Sequence, residues 1–551
     1  MLLNRFHFIK DKSSLRLTLT LAAIFFAFML VFSLHRFYTL YASYDQALFD
    51  QLFWNTIHGD WFQGSLSSGQ SSAVLQDGQV HTVFYCHLGQ HFVIDFLLWL
   101  PIYALFPNGA TLVVLQVTLI TAAGIVLYFL ARHYLPGAIA TFIAASYYGA
   151  NAVIGPTFAN FYEHSQIPLF VFSLLLALAK RKWWFFWLFV ILILGIREDT
   201  GIILFGIGLY LLLSRSYPRL GVALCLISFG YIALLTNGIM PLFSHDNSRL
   251  YLSSFFAKFA PGNPRPNTLQ ILWGMLSNPG VLLESLFFPL DKRVKYFLGQ
   301  WLPLAFVPAI SPAAWMVSAP PMLVLLIQDR QLALGMSVRF ALTVVPGLFY
   351  GTILWWHQHQ SKFRSLRRWW IRCIVLSVAI AITSSPNQAF YFLIPDSINP
   401  WVHIPLTRQW EHVGYTRQLI KLIPPEKSVS ATTFVLPLLA TRRGIIRFPV
   451  LQLRNDLKEV VDVDYVLADL WRLQQYQSAF KVERQQLQDY VVEVDKVLAQ
   501  GRYGLVDVLD GVVLLEKQIS SSPQSLGRWL QFKKEIQNIK FCPSCPSRLR
   551  G

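Results

Sequence analysis

Charged residues are scarce in this chain: Asp, Glu, Lys and Arg make up 14% of its 551 residues, against roughly 25% in ordinary soluble domains. A soluble protein of this size needs more polar surface, so a cytosolic enzyme is excluded. Five cysteines are too few for a disulfide scaffold, and Cys542 and Cys545 form a lone CxxC without the second pair that would indicate zinc. No Gly-rich phosphate loop, nucleophile elbow or Walker motif occurs, which argues against an ATP-driven pump.

Apolar residues, in contrast, are abundant. They account for 54% of the chain, aromatic residues for 15%, and the mean hydropathy is +0.45. This composition excludes disorder and predicts a polytopic α-helical membrane protein. The net charge of +17 does not indicate a nucleic-acid partner, because basic residues in membrane proteins mark cytoplasmic loops.

The first apolar run, residues 17–34, contains 18 uncharged residues and follows four basic ones. A basic segment before an apolar run also describes a signal peptide. The run is long, however, and no small-residue cleavage pattern follows it. We therefore expect an uncleaved first helix, with residues 1–16 in the cytoplasm.

Later apolar segments predict about eleven spanning helices in all. By the positive-inside rule, the basic clusters 180–182, 215–219 and 362–372 are cytoplasmic. His91 and His164 are both expected outside, which requires an even number of crossings between them. Three apolar segments lie in this range, so either 91–107 or 136–154 does not cross fully. The segments are 91–107, 110–131, 136–154, 164–180, 183–196, 200–214, 219–240, 294–310, 312–328, 336–356 and 370–386.

Changes in composition give the domain boundaries. Residues 17–398 form the transmembrane domain, whose first outer loop, 37–90, has no Lys or Arg and is expected to pack as short helices at the membrane surface. Residues 269–288 are predicted to form an interfacial helix. From 399 to 520, a polar helical pattern and short β-like runs predict a soluble, non-cytoplasmic α/β domain, and 521–551 are expected to be a flexible tail. The β-like runs are Ser428–Thr433, Gly444–Phe448, Tyr465–Ala468 and Gly511–Glu516.

Two candidate sites lie in or beside the first outer loop. Asp45 and Asp50 follow the first helix, and a carboxylate at the membrane surface can act as a general base or bind a cation; helix capping is the simpler explanation for Asp45. His87 and His91 are four residues apart, which would place both imidazoles on one helix face and could hold a metal ion. No HExxH frame supports a metalloprotease, and interfacial histidines are more often satisfied by backbone or water.

Two further candidates lie between apolar segments. Glu163 and His164 stand at a helix entrance, where they either bind substrate or cap the helix. Arg197, Glu198 and Asp199 separate two uncharged runs of 14 residues each. Ionisable groups at membrane depth are costly and usually functional, and an arginine suits a lipid phosphate. A structural ion pair at a hairpin tip is the alternative.

In this order, the motifs resemble a family of bacterial membrane proteins known as domain of unknown function 2079 (DUF2079). The resemblance covers about residues 17–520, and one departure is Arg339-Phe340, where the family often has His-Tyr. The matching segments are Tyr44-Asp45, Phe49–Asn55, Gly89–Phe92, Pro101–Pro107, Glu163-His164, Arg197–Asp199, Ile423–Ala431 and Asp464–Leu467.

The resemblance implies a glycosyltransferase C-like fold in the bacterial inner membrane, with the C-terminal domain outside. Enzymes of that class take a sugar from a polyprenyl-phosphate carrier, and their base is a carboxylate of the first outer loop, here Asp45, with Asp50 as the second catalytic candidate. His91, Glu163, His164 and the Arg197–Asp199 triplet are the expected substrate-binding residues. Membrane lipid and the lipid-linked sugar are the expected partners, and a divalent metal is the one candidate cofactor.

Two other functions fit part of the sequence. A secondary transporter would use the charged triplet as part of a substrate path, but no inverted repeat is visible and the ionisable residues gather at one face. A non-catalytic protein of envelope assembly would keep the fold alone. Convergence of the outer acidic residues and Arg197 in one pocket is the arrangement that the sugar-transfer hypothesis requires.

Overall fold

The computed structural model describes residues 2–537, and the chain folds as two compact units. The helical unit comprises the chain up to Ser33, Leu88–Pro101 and Val113–Asn387. The sheet unit comprises Leu34–His87, Ile102–Leu112 and the chain from Gln388. The predicted boundary at residue 399 therefore changes, because most of the first outer loop belongs with the C-terminal part of the chain.

Helices of very different lengths form the helical unit. The four longest helices that lie wholly or partly in this unit are Leu2–Tyr38, Gly109–Tyr134, Ala341–Gln358 and Phe363–Thr383. The others of seven or more residues are Gly137–Tyr148, Asn151–Thr157, Ile167–Ala179, Trp183–Ile196, Gly201–Leu213, Pro218–Leu234, Thr268–Ser277, Pro279–Phe287, Leu290–Trp301 and Pro312–Ile327.

By length and hydropathy, three helices of the described chain can cross a membrane: Lys12–Tyr38, Gly109–Tyr134 and Pro218–Leu242. A fourth span results if Gly137–Tyr148 and Asn151–Thr157, bent by 46° at their break, count as one. The protein is thus a helical membrane protein. The eleven spans stay a prediction, because most of the other segments are apolar helices of 13 to 16 residues.

The segment 91–107 contains no continuous helix. It holds a 3-10 turn at Ile94–Leu98 and a helix of six residues, Leu100–Leu105, which is only about 9 Å long. Of the two segments that the sequence left open, this one is too short to cross. The predicted interfacial helix 269–288 is also divided, because it breaks at Asn278 into two helices.

Small residues allow the short helices to pack closely. Helices Gly201–Leu213 and Pro218–Leu234 meet at Gly208 and Gly221, and a Cβ atom on Gly208 would lie 2.8 Å from the carbonyl oxygen of Gly221. Contact between small residues of this kind is the usual way in which membrane helices gain packing energy without a hydrophobic driving force.

The sheet unit contains a five-stranded mixed sheet. Four of its strands coincide with the β-like runs of the sequence, and Tyr503–Leu509 was not anticipated. In spatial order the strands are Ile445–Arg447, Val429–Ala431, Tyr465–Asp469, Val512–Lys517 and Tyr503–Leu509. In this order, the first three strands pair in parallel, and each of the last two pairs antiparallel with the strand before it.

Helices flank this sheet. The last of them lies within 521–551, so residues 523–537 are helical and not the flexible tail that the sequence predicts. Helix Pro523–Gln537 buries Trp529 and Phe532 in the core of the sheet unit. Trp529 Nε1 also donates to Asp495 Oδ1 at 2.8 Å. Residues 538–551, with Cys542 and Cys545, lie outside the described residues. The other main helices are Tyr44–Ile57, Leu406–Ile420, Trp471–Tyr476 and Lys481–Ala499.

Hydrogen bonds join the first outer loop to this sheet. Ser65 Oγ donates to the carbonyl of Ile445 at 2.6 Å, and the Ile445 N–H donates to Ser65 Oγ at 3.1 Å. Gln51 Nε2 donates to Ser65 Oγ at 2.9 Å. In addition, strand His81–Thr82 pairs in parallel with Gln452–Arg454. The loop is therefore part of a folded unit with the C-terminal segment.

We expect the stability of the sheet unit to fall at high pH because of His412. This buried imidazole lies 3.1 Å from Asp469 Oδ2 and 2.8 Å from Asp510 Oδ2. Burial alone would lower the pKa of His412, but the two carboxylates raise it from 6.5 to about 9. Protonated His412 therefore stabilises the folded state by on the order of 3 kcal/mol. This contribution to the free energy of unfolding is fully present below pH 6.5 and is lost as the pH rises through 9.

The measurement is the thermal unfolding midpoint of the purified full chain between pH 6 and 10, for wild type, His412→Gln and the control His403→Gln. His403 Nε2 donates one bond to the carbonyl of Phe392 at 2.9 Å. The difference in unfolding midpoint between wild type and His412→Gln should shrink above pH 9. The midpoint of His403→Gln should change with pH as that of the wild type does. A constant difference across this range would contradict the assignment.

Candidate functional site

A cluster of buried charges lies where three connecting segments of the helical unit meet. Helix Trp183–Ile196 ends because Arg197 adopts extended backbone angles. The Thr200 hydroxyl donates to the carbonyl of Arg197 at 2.8 Å, which closes the turn before Gly201–Leu213. Glu163 and His164 come from the 3-10 turn Glu163–Gln166, and His91 from residues 88–93. Turns between short helices thus bring ionisable side chains into the interior.

Arg197 is the centre of this cluster. It is only 5% exposed, and a buried guanidinium requires compensation by opposite charge. Nη1 lies 3.2 Å from Glu163 Oε1, and Nε lies 3.3 Å from Glu198 Oε1. The third carboxylate, Asp199, is 3.4 Å from Nε, and its side chain is 48% exposed. Two partners are therefore buried and one is accessible.

Glu198 has a second set of donors. His91 Nδ1 lies 2.9 Å from Glu198 Oε1, and the N–H of Phe92 donates to Oε2 at 2.9 Å. Burial alone would raise the pKa of Glu198, but His91, Arg197 and the Phe92 N–H together hold it at about 2. Glu198 is therefore ionised at every physiological pH, and it holds Arg197 and His91 together.

Glu163 has His164 and Arg197 as neighbours. His164 Nδ1 lies 3.1 Å from Glu163 Oε1, and both side chains are 1% exposed. Nearby, the Arg339 guanidinium stacks on Tyr162, 4.2 Å from the ring centre, and on Phe340, at 4.9 Å. The pair that departs from the resemblance, Arg339-Phe340, thus contributes a second cation beside residues 162–164.

An apolar cavity of about 720 Å³ is lined at one part by Arg197, Glu198 and Asp199. Most of its other lining side chains are apolar, and most of these come from helices Gly201–Leu213, Pro218–Leu234, Thr268–Ser277 and Pro312–Ile327. Tyr251, whose ring packs 4.6 Å from that of His91, also lines it. A chamber of this composition suits a long apolar chain with a small polar head.

The sequence analysis missed Asp95 as a buried acid of the same unit. It is 4% exposed and lies in the 3-10 turn Ile94–Leu98. Burial, and to a lesser degree the charge of Glu163, raises the pKa of Asp95 well above its usual value. The signal was present, since a single acid within an apolar run is costly unless it has a role, but 91–107 was treated as an apolar segment.

The eight predicted site residues divide between the two units. His91, Glu163, His164, Arg197, Glu198 and Asp199 meet in the helical unit, whereas Asp45 and Asp50 belong to the sheet unit. Asp45 lies in the first turn of helix Tyr44–Ile57 and is half-buried. It is not the N-cap, because Ser43 occupies that position.

Asp50, one turn further along this helix, is 1% exposed. The Tyr103 hydroxyl donates to its Oδ1 at 2.5 Å. Burial raises the pKa of Asp50 to about 7, although the bonds from Tyr103 and the Gly109 N–H oppose this shift. Near neutral pH this carboxyl therefore exists in both protonation states.

Metal binding has no support in the geometry of residues 2–537, where no group of three or more His, Cys, Asp or Glu side chains is placed to hold an ion. The proposed pair His87 and His91 does not share a helix face, because the 3-10 turn His87–Gly89 ends before His91. The predicted i, i+4 arrangement was therefore wrong.

Comparison with known protein families matches residues 36–514 to DUF2079, described as a predicted membrane protein. Comparison with curated proteins gives no match. The matched range includes the charge cluster, the cavity and the strands of the sheet unit up to residue 514. Since it covers well over half of the sequence, the chain belongs to the DUF2079 family of membrane proteins.

Proposed function

We propose that this protein is an integral-membrane glycosyltransferase that transfers a sugar from a polyprenyl-phosphate donor on the outer face of a bacterial inner membrane. The observation that carries the proposal is the apolar cavity of about 720 Å³ with a guanidinium in its lining. A lipid phosphate combines the two chemistries that such a site accepts.

A topology with eleven crossings supports an outer location for this site. The sheet unit contains segments 34–87, 102–112 and 388–537, so these must share one side of the membrane and an even number of crossings must separate residues 112 and 388. Ten helical segments provide them. They are Gly109–Tyr134, 137–157, Ile167–Ala179, Trp183–Ile196, Gly201–Leu213, Pro218–Leu242, 290–310, Pro312–Ile327, Ala341–Gln358 and Phe363–Thr383.

The basic residues agree with this path. Along the proposed path, Arg132 and His133 in the last turn of Gly109–Tyr134 and the clusters 180–182, 215–219 and 362–372 all fall on one side of the membrane. The positive-inside rule makes that side cytoplasmic. The charge cluster then faces outward, as does the sheet unit, which acts as a soluble α/β domain outside the membrane.

Within the cavity, Arg197 is the proposed phosphate ligand. Asp199 is its most exposed partner and the one at the longest distance, so it is the partner that a phosphate oxygen would replace. One negative charge then takes the place of another, and the balance of the buried network is kept. The isoprenoid chain occupies the apolar part of the cavity.

Asp45 is the proposed base that removes the proton from an acceptor hydroxyl. A base must be reachable by substrate, and Asp45 is half-buried whereas Asp50 is closed off. We assign Asp50 to fixing Tyr103 and the following turn. Because the pKa of Asp50 is about 7, it remains the alternative base, and the two assignments differ in their pH dependence.

We predict that lipid retention requires both the cation and the cavity. In Arg197→Lys the charge stays but the planar fork is lost, and Ala233→Phe fills part of the cavity lining. Mass spectrometry of lipids extracted from the purified full chain should show polyprenyl phosphate reduced about tenfold or more in both variants. Arg484→Lys, in the sheet unit, is the matched control. Equal polyprenyl-phosphate content in all four proteins would contradict the donor site.

We predict that Asp45→Asn lowers transfer by about a hundredfold or more, as expected for loss of a general base. The assay uses membranes supplied with a panel of radiolabelled polyprenyl-phosphate monosaccharides, with Asp77→Asn as the loop control. Asp50→Asn keeps an oxygen that accepts from Tyr103 and should retain most activity. If activity instead rises with pH through about 7 and Asp50→Asn abolishes it, Asp50 is the base.

Cysteine labelling in intact cells tests the proposed topology. In a chain whose five native cysteines are replaced by serine, a membrane-impermeant maleimide should label Asp77→Cys and Leu457→Cys in the sheet unit, but not Arg215→Cys or Arg368→Cys unless the cells are opened. Labelling of Arg215→Cys in sealed cells would place the basic loops outside and exclude the proposed path.

A further inference from the structure

Helix Phe363–Thr383 and the residue before it carry basic side chains that have no acidic partner. Lys362, Arg364, Arg367, Arg368 and Arg372, here called the basic patch, are all exposed. Between Asp329 and Asp396 the sequence contains no acidic residue. Within the described part of the chain, no carboxylate forms an ion pair with any of the five.

The opposite face of the same helix is anchored in the helical unit. Trp370 stacks on Trp356 with ring centres 5.0 Å apart, and its Nε1 donates to Ser146 Oγ at 2.8 Å. Ser377 Oγ donates to the carbonyl of Gly149 at 2.7 Å. At 100° per residue, Arg364, Arg368 and Arg372 lie on the side away from these contacts. Packing therefore fixes the three arginines in an outward stripe.

This stripe is unfavourable for the isolated protein. Like charges four residues apart repel each other along a helix, and here three follow in succession without compensation. Anions that bind from outside the chain relieve this repulsion.

The next helical turn indicates which anion. Val375 and Leu376 are 61% and 52% exposed, and one turn of about 5.4 Å separates them from Arg372. Apolar side chains on the outer face of a membrane protein contact lipid chains, so the arginines lie at the depth of the lipid phosphates. The exposed Trp369 is typical of the same interfacial layer.

We propose that the basic patch is a binding surface for anionic phospholipid headgroups of the cytoplasmic leaflet. Each of the three exposed positive charges attracts the phosphate of an anionic headgroup at this depth. This inference rests on the topology proposed above, which places the basic patch on the cytoplasmic side. It does not depend on sugar transfer, because it uses neither the cavity nor the charge cluster.

The test is native mass spectrometry of the full chain in detergent, titrated separately with phosphatidylglycerol and phosphatidylcholine. Each basic side chain near anionic lipid contributes about fivefold in affinity. Arg364→Gln/Arg368→Gln/Arg372→Gln should therefore bind phosphatidylglycerol at least tenfold more weakly, with phosphatidylcholine binding unchanged. The corresponding triple lysine variant should retain most of the affinity.

The matched control is Lys421→Gln/Lys458→Gln/Lys481→Gln, which removes the same charge from exposed positions of the sheet unit. It should leave phosphatidylglycerol binding within about threefold of wild type, because only charges near the lipid surface contribute about 1 kcal/mol each. Equal losses in the two glutamine variants, or no loss in the first, would overturn the proposal. Unfolding midpoints and gel-filtration profiles verify that each variant is folded. If the triple glutamine variant is not, the single variants Arg364→Gln, Arg368→Gln and Arg372→Gln provide the test, each with a loss of about fivefold.

Discussion

Compensation of the buried Arg197 charge is the constraint on which the geometry of the helical unit's charge cluster depends. A guanidinium among apolar helices is stable only where carboxylates surround it. Glu163 and Glu198 meet this requirement at 3.2 and 3.3 Å, and Glu198 in turn holds His91 and the Phe92 N–H. One charge therefore determines how three separate connecting segments pack, and the lining of the cavity follows from their positions.

The charged triplet was predictable from the sequence because it interrupts two apolar runs, and that signal needs no tertiary information. Its partners were predicted as candidates but not as partners. Glu163 and Arg197 are 34 residues apart, and His91 and Glu198 are 107 apart. Which turns meet depends on how short helices pack through small residues such as Gly208 and Gly221, and hydropathy does not record this.

The sheet unit shows the same limit at a larger scale. Four strands follow from local β-like runs, yet the domain boundary does not, because Ser65 and Ile445 bond across 380 residues. Helix Pro523–Gln537 was missed for a related reason. Its surroundings are polar, and the burial of Trp529 and Phe532 becomes clear only when the core of the sheet unit is present.

The partners of the arginines differ with the depth at which each one lies. Arg197 is buried and has carboxylates. Arg293, also buried, donates to the carbonyls of Ser285 and Leu326 at 2.9 and 2.7 Å. Arg364, Arg368 and Arg372 are exposed and have neither. A charge removed from water must find its ligand within the protein, whereas a charge at the interface can use water or lipid phosphate. The absence of acidic residues between Asp329 and Asp396 is therefore consistent with a segment whose counterions are supplied by the membrane.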